Sequence, residues 1–326
     1  MGFDSFRGNP AAVSLLRAAA GGRRTGHAYL FYGSEGTGKR TLAGIFAQAL
    51  LCGGGEERPC GRCVACRKFE KGAHPDYTVL RKPADKAFLV VDQIRALREE
   101  IYIRPNEADR RVVLIENCET MNAPAANALL KVLEEPPSYA VFLLTANNER
   151  MVPETILSRC TGIELFAVPA AEAEEWIAAH FPASGPEERR QALLYGNGNL
   201  GRSRAFLEDP AVQRGYGQAL SLARALTSRR EYDILEALAP FDGDRSGFSR
   251  LLSDFDGILG RVAVCPFAER EDPEAAELSR RISPLQAAAL HDEIDAVRTA
   301  LFFNGNAALT AALFGARLKT VMETQG

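Results

Sequence analysis

The stretch Ala28-Tyr-Leu-Phe-Tyr-Gly-Ser-Glu-Gly-Thr-Gly-Lys-Arg-Thr41 decides how the first half of this 326-residue chain folds. An apolar and aromatic run, Ala28 to Tyr32, leads into Gly33-Ser-Glu-Gly-Thr-Gly-Lys-Arg40, and a helical pattern from Thr41 to Leu51 follows. Strand, glycine loop and helix in that order predict a phosphate-binding loop. Glycines let backbone N–H groups close around phosphate oxygens, and the helix N-terminus adds favourable potential. Gly33, Gly36 and Gly38 are the candidate cradle, and Lys39 is a point charge for the outer phosphates. The bland alternative is a glycine turn that holds no ligand.

The position after the loop lysine ordinarily carries a Ser or Thr whose hydroxyl ligates Mg²⁺. Here it is Arg40, which offers no acceptor and adds positive charge. Thr41 does not compensate, because one step along an α-helix is a rotation of about 100°. ATP or ADP is the ligand class the loop suggests, with the metal badly held. A second apolar run, Val112 to Ile115, ends in Glu116-Asn117, where hydrolysis calls for Asp-Glu. Glu116 could still approach a metal, but Asn117 cannot accept a proton at neutral pH, so no general base stands there. Glu119, the nearest other carboxylate, is expected to be a solvated acid at a helix start.

Around this loop, strand-like runs at Ala28 to Tyr32, Tyr77 to Leu80, Val112 to Ile115, Val141 to Thr145 and Ile163 to Phe166 alternate with helical patterns. Those patterns are Pro10 to Ala20, Thr41 to Leu51, Asp92 to Ile101 with Asp92 as cap, and Asn122 to Glu134. This rhythm predicts an α/β fold with a mostly parallel sheet. After Val168-Pro169 only helices are expected: short ones at Ala171 to His180, Pro186 to Tyr195 and Leu200 to Leu207, then longer ones at Ala211 to Thr227, Ser246 to Val264, Pro284 to Phe303 and Ala307 to Glu323. The expected organisation is a nucleotide-binding-like domain over 1–167, a helical lid over 168–208 and an all-α domain over 209–326.

Cys52, Cys60, Cys63 and Cys66 follow the loop helix directly, with spacing C-x7-C-x2-C-x2-C and glycine and arginine between them. Four thiolates with no histidine or carboxylate match a closed tetrahedral structural Zn²⁺ site, without the open position a catalytic zinc keeps. An iron–sulfur cluster and free thiols are the alternatives. Cys118, Cys160 and Cys265 read as small apolar residues, and His74 as a turn or capping residue. A net charge of −3 argues against a surface that grips nucleic acid throughout, although Arg17 to Arg24 could form a local basic patch. The longest uncharged stretch, Thr299 to Ala316, is interrupted by Asn304-Gly-Asn306, so no membrane span is expected, and no signal-type apolar core follows Asp4 and Arg7. The expected location is cytoplasmic.

The phosphate loop, then Ile115-Glu-Asn-Cys-Glu-Thr-Met-Asn122, Ala126-Asn-Ala-Leu-Leu-Lys-Val-Leu-Glu-Glu-Pro-Pro137, Leu144-Thr-Ala-Asn147 and Ser158-Arg-Cys160 together resemble the clamp-loader branch of the AAA+ ATPases. The resemblance covers about residues 3–207; beyond that the chain matches only in being helical. Its altered nucleotide motifs resemble the delta-prime type within DNA polymerase III more than the ATP-hydrolysing gamma/tau type. The resemblance implies that Arg159 is an arginine finger reaching a neighbouring subunit's ATP, where such fingers contribute on the order of 10³ to 10⁵ in rate; a surface salt bridge is the alternative. It implies that Thr145 lies in the sensor-1 region and that Arg202 is the sensor-2 arginine of the lid, as phosphate contacts or as remnants that now join domains. It further implies a role in DNA replication with gamma/tau and delta-type subunits, a sliding clamp and primed DNA as partners, and a helical collar. Broadly apolar stretches at Leu285 to Leu290 and Ala307 to Ala316 fit such a collar or an ordinary core equally well. An active ATPase and a zinc-dependent nucleic-acid-binding module remain the competing functions.

Overall fold

The computed structural model describes all residues except 1, 23–24, 56, 84–85, 87, 229, 268–271, 303–305 and 325–326. Arg23 and Arg24 of the basic stretch, and Phe303 at the expected helix end, therefore lie outside the described residues. The chain divides into two compact units, Met1–His180 with Gly198–Arg202, and Phe181–Asn197 with Ser203–Gly326.

The first unit is built on β1 (Ala28–Tyr32), β2 (Tyr77–Leu80), β3 (Arg111–Ile115), β4 (Ala140–Ala146) and β5 (Thr161–Glu164). All pairings are parallel, in the order β2-β3-β4-β1-β5. The helices are α1 (Pro10–Gly21), α2 (Lys39–Leu51), α3 (Val64–Glu70), α4 (Val91–Glu100), α5 (Ala123–Glu134), α6 (Glu154–Leu157) and α7 (Ala170–His180). Every residue of β3 and β4 is buried, as expected for parallel strands covered on both faces. Successive side chains point to opposite faces, which splits each strand between two cores. Leu30, Val113, Ile115, Phe142 and Leu144 pack with residues of α4 and α5. Tyr29, Phe31, Val112, Leu114, Val141 and Leu143 pack with residues of α1 and α2.

Several boundaries depart from the sequence reading. The fifth strand begins at Thr161, two residues early, because Thr161 to Glu164 pair with Tyr29 to Tyr32. It ends at Glu164 because β1 stops at Gly33; beyond it Leu165 N donates to Tyr32 O and Phe166 is held by the Asn9 amide. The second helix starts at the loop lysine rather than at Thr41. Asp92 is not the cap of α4: Val90 is, and its N–H donates to Gln93 Oε1 at 3.4 Å. By contrast, Asn122 caps α5, its Oδ1 accepting from Ala125 N at 3.0 Å.

The second unit is all helical: α8 (Pro186–Gly196), α9 (Leu200–Glu208), whose first residues belong to the first unit, α10 (Pro210–Leu226), α11 (Glu231–Leu238), α12 (Arg245–Val264), α13 (Pro273–Ser279), α14 (Pro284–Phe302) and α15 (Ala307–Thr324). Its core holds Phe248, Phe255 and Phe314, with no exposed surface. The nearly buried Arg261 of α12 donates to Tyr216 Oη of α10 at 2.5 Å and to Glu274 of α13 at 3.2 Å. Among the described residues, no helix is long and apolar enough to cross a membrane.

His74 and Asp76 tie the loop before β2 into the first unit. His74 is buried, and its Nδ1 accepts from Asp76 N at 3.2 Å. The fully buried Asp76 carboxylate accepts from Asn106, Glu107 and Ala108 N at 2.6, 2.8 and 2.9 Å. Burial alone would raise its pKa, but the three N–H donors hold it below the usual carboxylate range. A carboxyl with a depressed folded pKa contributes stability above its unfolded pKa of about 3.9 and loses it as pH falls through the folded value. Asp76→Asn is therefore expected to cost about 2–3 kcal/mol in urea unfolding at neutral pH. The gap to the wild type should close in acid below about pH 4; equal stability of the two proteins at neutral pH would contradict this assignment.

Candidate functional site

The C-terminal ends of β1, β3 and β4 bring the nucleotide-type residues together. Gly33 leaves β1 with φ 138°, and a Cβ there would sit 2.2 Å from Leu165 O, so only glycine fits. Gly36, at φ 88°, is equally constrained, because a Cβ would meet Asn199 Oδ1 at 2.3 Å. The loop is clamped from outside: Asn199 Nδ2 donates to Glu35 O at 2.5 Å, and Gly201 N donates to Gly36 O at 3.1 Å. Arg202 joins this clamp through its backbone N–H, which donates to Asn199 Oδ1 at 3.1 Å.

Lys39 is nearly buried, and its Nζ donates to Gly33 O and Ser34 O, both at 2.7 Å. Burial lowers its pKa to about 8, with Glu119 and Glu35 partly opposing the shift. Glu119 is not the solvated acid expected from its position. It is half-buried, accepts from Asn147 N at 2.9 Å, and leaves its Oε2 buried without a hydrogen-bond partner among the described residues. Burial raises its pKa, offset in part by Asn147 and by Lys39.

Glu116 and Arg40 form an ion pair, Nε to Oε1, at 2.9 Å, and Arg81 Nε reaches the same Oε1 at 3.2 Å. Asn117 is exposed with φ 51°, and its N–H donates to Thr145 Oγ1 at 3.0 Å. The Thr145 hydroxyl, buried at the end of β4, thus accepts from backbone. No basic side chain atom stands at Asn117 to activate water, and the hydroxyl that would ligate Mg²⁺ is replaced by a guanidinium already bound to the acid. These residues do not fit Mg²⁺.

Arg159 stands elsewhere. It precedes β5, at the N-terminal edge of the sheet, whereas the phosphate loop leaves the C-terminal end of the neighbouring, parallel β1. The four residues of β5 put about 13 Å between the two edges. The Arg159 guanidinium donates to Thr155 O at 2.8 Å and to Glu134 Oε1, at the end of α5, at 2.7 Å, with a third of the side chain exposed.

The four cysteines converge. Their sulfurs all lie within 4.8 Å of one another, and Cys52 Sγ and Cys63 Sγ are 3.9 Å apart. That is too far for a disulfide and close to the ~3.8 Å edge of a tetrahedron with Zn–S bonds of about 2.3 Å. Cys52 follows α2 as its C-cap, while Cys63 caps α3 and accepts from Cys66 N at 3.4 Å. Gly54 N and Cys60 N donate to Cys52 Sγ at 3.3 and 3.4 Å. The Arg62 and Cys63 N–H groups hold the Cys60 thiol down to about 6, within reach of the thiolate form at neutral pH. The donor set fits a metal ion. Gln48 of α2 reaches Glu70 Oε1 of α3 at 3.2 Å, joining the knuckle to the loop helix. Cys118 is buried, and Cys160 and Cys265 are half-buried against apolar clusters.

A family model described as "DNA polymerase III, delta subunit" matches residues 8–169. The chain is 40% identical over 221 residues to DNA polymerase III subunit delta' of Pseudomonas aeruginosa, a match covering 66% of this chain and 63% of that relative. It is 33% identical over 242 residues to subunit delta' of Haemophilus influenzae, covering 73% of this chain and 70% of that one. The chain belongs to the DNA polymerase III delta' family. In structure it is similar to a DNA polymerase III gamma subunit-related protein of Thermotoga maritima, with a TM-score of 0.51 at 18% identity, covering 95% of this chain and 99% of that one. The first unit has the AAA+ fold: a phosphate-loop parallel sheet with the order reported above.

In this delta' family chain, several contacts were invisible to motif reading. Arg81 meets Glu116 because Leu80 and Ile115 are register partners, so the next residues adjoin. Asn199 reaches the loop from 164 residues away in sequence, and Gly201 follows it. Glu134, which lies in the motif over 126–137, pairs with Arg159 across 25 residues of chain.

Gly54 offers a test of the knuckle. A methyl group there would lie 2.9 Å from Cys60 Sγ and 3.2 Å from Cys52 Sγ. Freshly purified, reduced protein should carry close to one equivalent of thiophilic metal by elemental analysis, and Gly54→Ala should weaken its retention against a chelator by about tenfold. Metal below half an equivalent in the wild type would contradict the site.

Proposed function

We propose that this chain is a non-cycling, delta-prime-type subunit of a DNA polymerase III clamp loader that completes a neighbour's ATP site with Arg159 in trans. One observation carries the reading: Arg159 and the phosphate loop stand at opposite edges of one parallel sheet, so the arginine cannot serve its own chain's loop. An arginine with a planar donor fork, bonded among the described residues to a surface carboxylate and to nearby main-chain and hydroxyl oxygens, can exchange Glu134 for a phosphate.

In this reading the AAA+ part extends to about residue 167, residues 168–208 act as the lid, and residues 209–326 form the collar that joins gamma/tau and delta-type subunits. Support for an interface comes from exposed apolar residues on two packed helices, Tyr232 and Leu235 on α11 and Leu309 and Leu313 on α15, each more than half exposed. The knuckle holds structural Zn²⁺ through Cys52, Cys60, Cys63 and Cys66, which would fix the segment between α2 and α3. The phosphate loop, with Lys39, Thr41, Thr145 and Arg202, serves as a nucleotide seat without turnover. Clamp opening and release on primed DNA would then follow the neighbours' hydrolysis.

The gamma/tau-type alternative would need a base at Asn117 and a metal-ligating hydroxyl at Arg40, and the chain carries neither. A zinc-dependent nucleic-acid module is disfavoured by the balance of Arg58, Arg62, Arg67 and Lys68 against Glu56, Glu57 and Glu70.

In a clamp loader reconstituted with Arg159→Ala, hydrolysis at the one site that Arg159 completes should fall by on the order of 10³, and Arg159→Lys should not restore it. Single-turnover ATP hydrolysis with primed DNA and clamp checks this. Unchanged turnover and clamp loading in an intact complex would sink the finger assignment.

A further inference from the structure

The charge arrangement behind the phosphate loop has its own consequence. Glu116 stands where a carboxylate would help hold Mg²⁺, and its side chain is only 14% exposed. Its Oε1 is shared by two guanidiniums, Arg40 from the first turn of α2 and Arg81 from the residue after β2. Mg²⁺ is a hard cation that binds through oxygen, and a guanidinium has no lone pair to give it. Two guanidiniums and one carboxylate carry a single net positive charge, the same as a divalent cation beside one carboxylate. Both arginines are more than half exposed, and each spends its Nε on Glu116 while carrying further N–H donors on the same planar fork. The Tyr77 hydroxyl feels this cluster too: burial, then Glu116, push its pKa up to about 12, with Arg40 and Arg81 opposing.

We infer that Arg40 and Arg81 stand in for the divalent cation, so that the loop takes the phosphate tail of a nucleoside di- or triphosphate without Mg²⁺. This rests on the reading of residues 33–41 as a nucleotide seat. Cation-free binding suits a subunit that holds nucleotide and does not hydrolyse it, because the phosphates are neutralised while nothing polarises an attacking water.

The test is calorimetric titration of ADP and of ATP into the whole chain, in EDTA and in Mg²⁺. The two buffers should give affinities within about threefold of each other. Arg40→Thr should weaken binding in EDTA by about tenfold or more, and Mg²⁺ should then strengthen it. Arg40→Lys, which keeps a cation but loses the fork, should retain the cation independence with weaker binding. Paramagnetic resonance with Mn²⁺ and nucleotide should detect no bound ion in the wild type. A tenfold gain from Mg²⁺ in the wild type, a bound Mn²⁺ signal, or no nucleotide binding in either buffer would each overturn the inference. Any of these leaves the Arg159 reading standing, since that test reads hydrolysis on another subunit.

Discussion

All five strands of the sheet run the same way, and that constraint gives the first unit two chemically different edges. At the C-terminal edge, backbone turns with positive φ open the chain into a phosphate loop; at the N-terminal edge, the chain entering β5 carries Arg159. A loop and an arginine on one edge could make a self-contained catalyst. With the two on opposite edges, the proposed function gives the loop a ligand and the arginine a second subunit. The division of labour in the proposed function is thus a consequence of strand direction.

Electrostatics at the loop points the same way. Glu116 is neutralised from within by Arg40 and Arg81, Asn117 offers no base, and burial pushes the pKa of Lys39 down and that of Glu119 up. Each replacement alone would weaken a hydrolytic site, and together they support the proposed reading of a nucleotide seat without turnover. The knuckle is separate chemistry. Its four sulfurs are gathered by two helix ends and by N–H···S bonds, and Gln48 couples it to the loop helix. That coupling makes it a staple on the element that presents Lys39.

Much of this was legible in the sequence because it is written locally. The glycine loop, the apolar runs of β1, β3 and β4 and the cysteine spacing each depend on residues close together in the chain. What stayed hidden depends on distant pairing. Arg81 follows a four-residue strand, and nothing in its neighbourhood marks it as a partner of Glu116 until β2 and β3 are in register. The end of β5 is not legible in the sequence, because Leu165 and Phe166 look as strand-like as Ile163 and the stop of β1 at Gly33 decides the boundary. Short helices such as α3, α11 and α13, of seven or eight residues, offer too few turns for periodicity to register. Glu119 looked solvated because a sequence does not announce that Asn147 will cover it.

The central claim is that this chain promotes hydrolysis it does not perform, and an add-back ATPase measurement meets it directly. Steady-state ATP turnover would be followed for the isolated chain, for the ATPase subunits of its loader without it, and for the complex restored by adding it, all with primed DNA and clamp. The account predicts no turnover by the isolated chain and a clear rise when it joins the ATPase subunits. Turnover by the isolated chain that vanishes with Lys39→Ala, or no rise on adding it, would contradict the account.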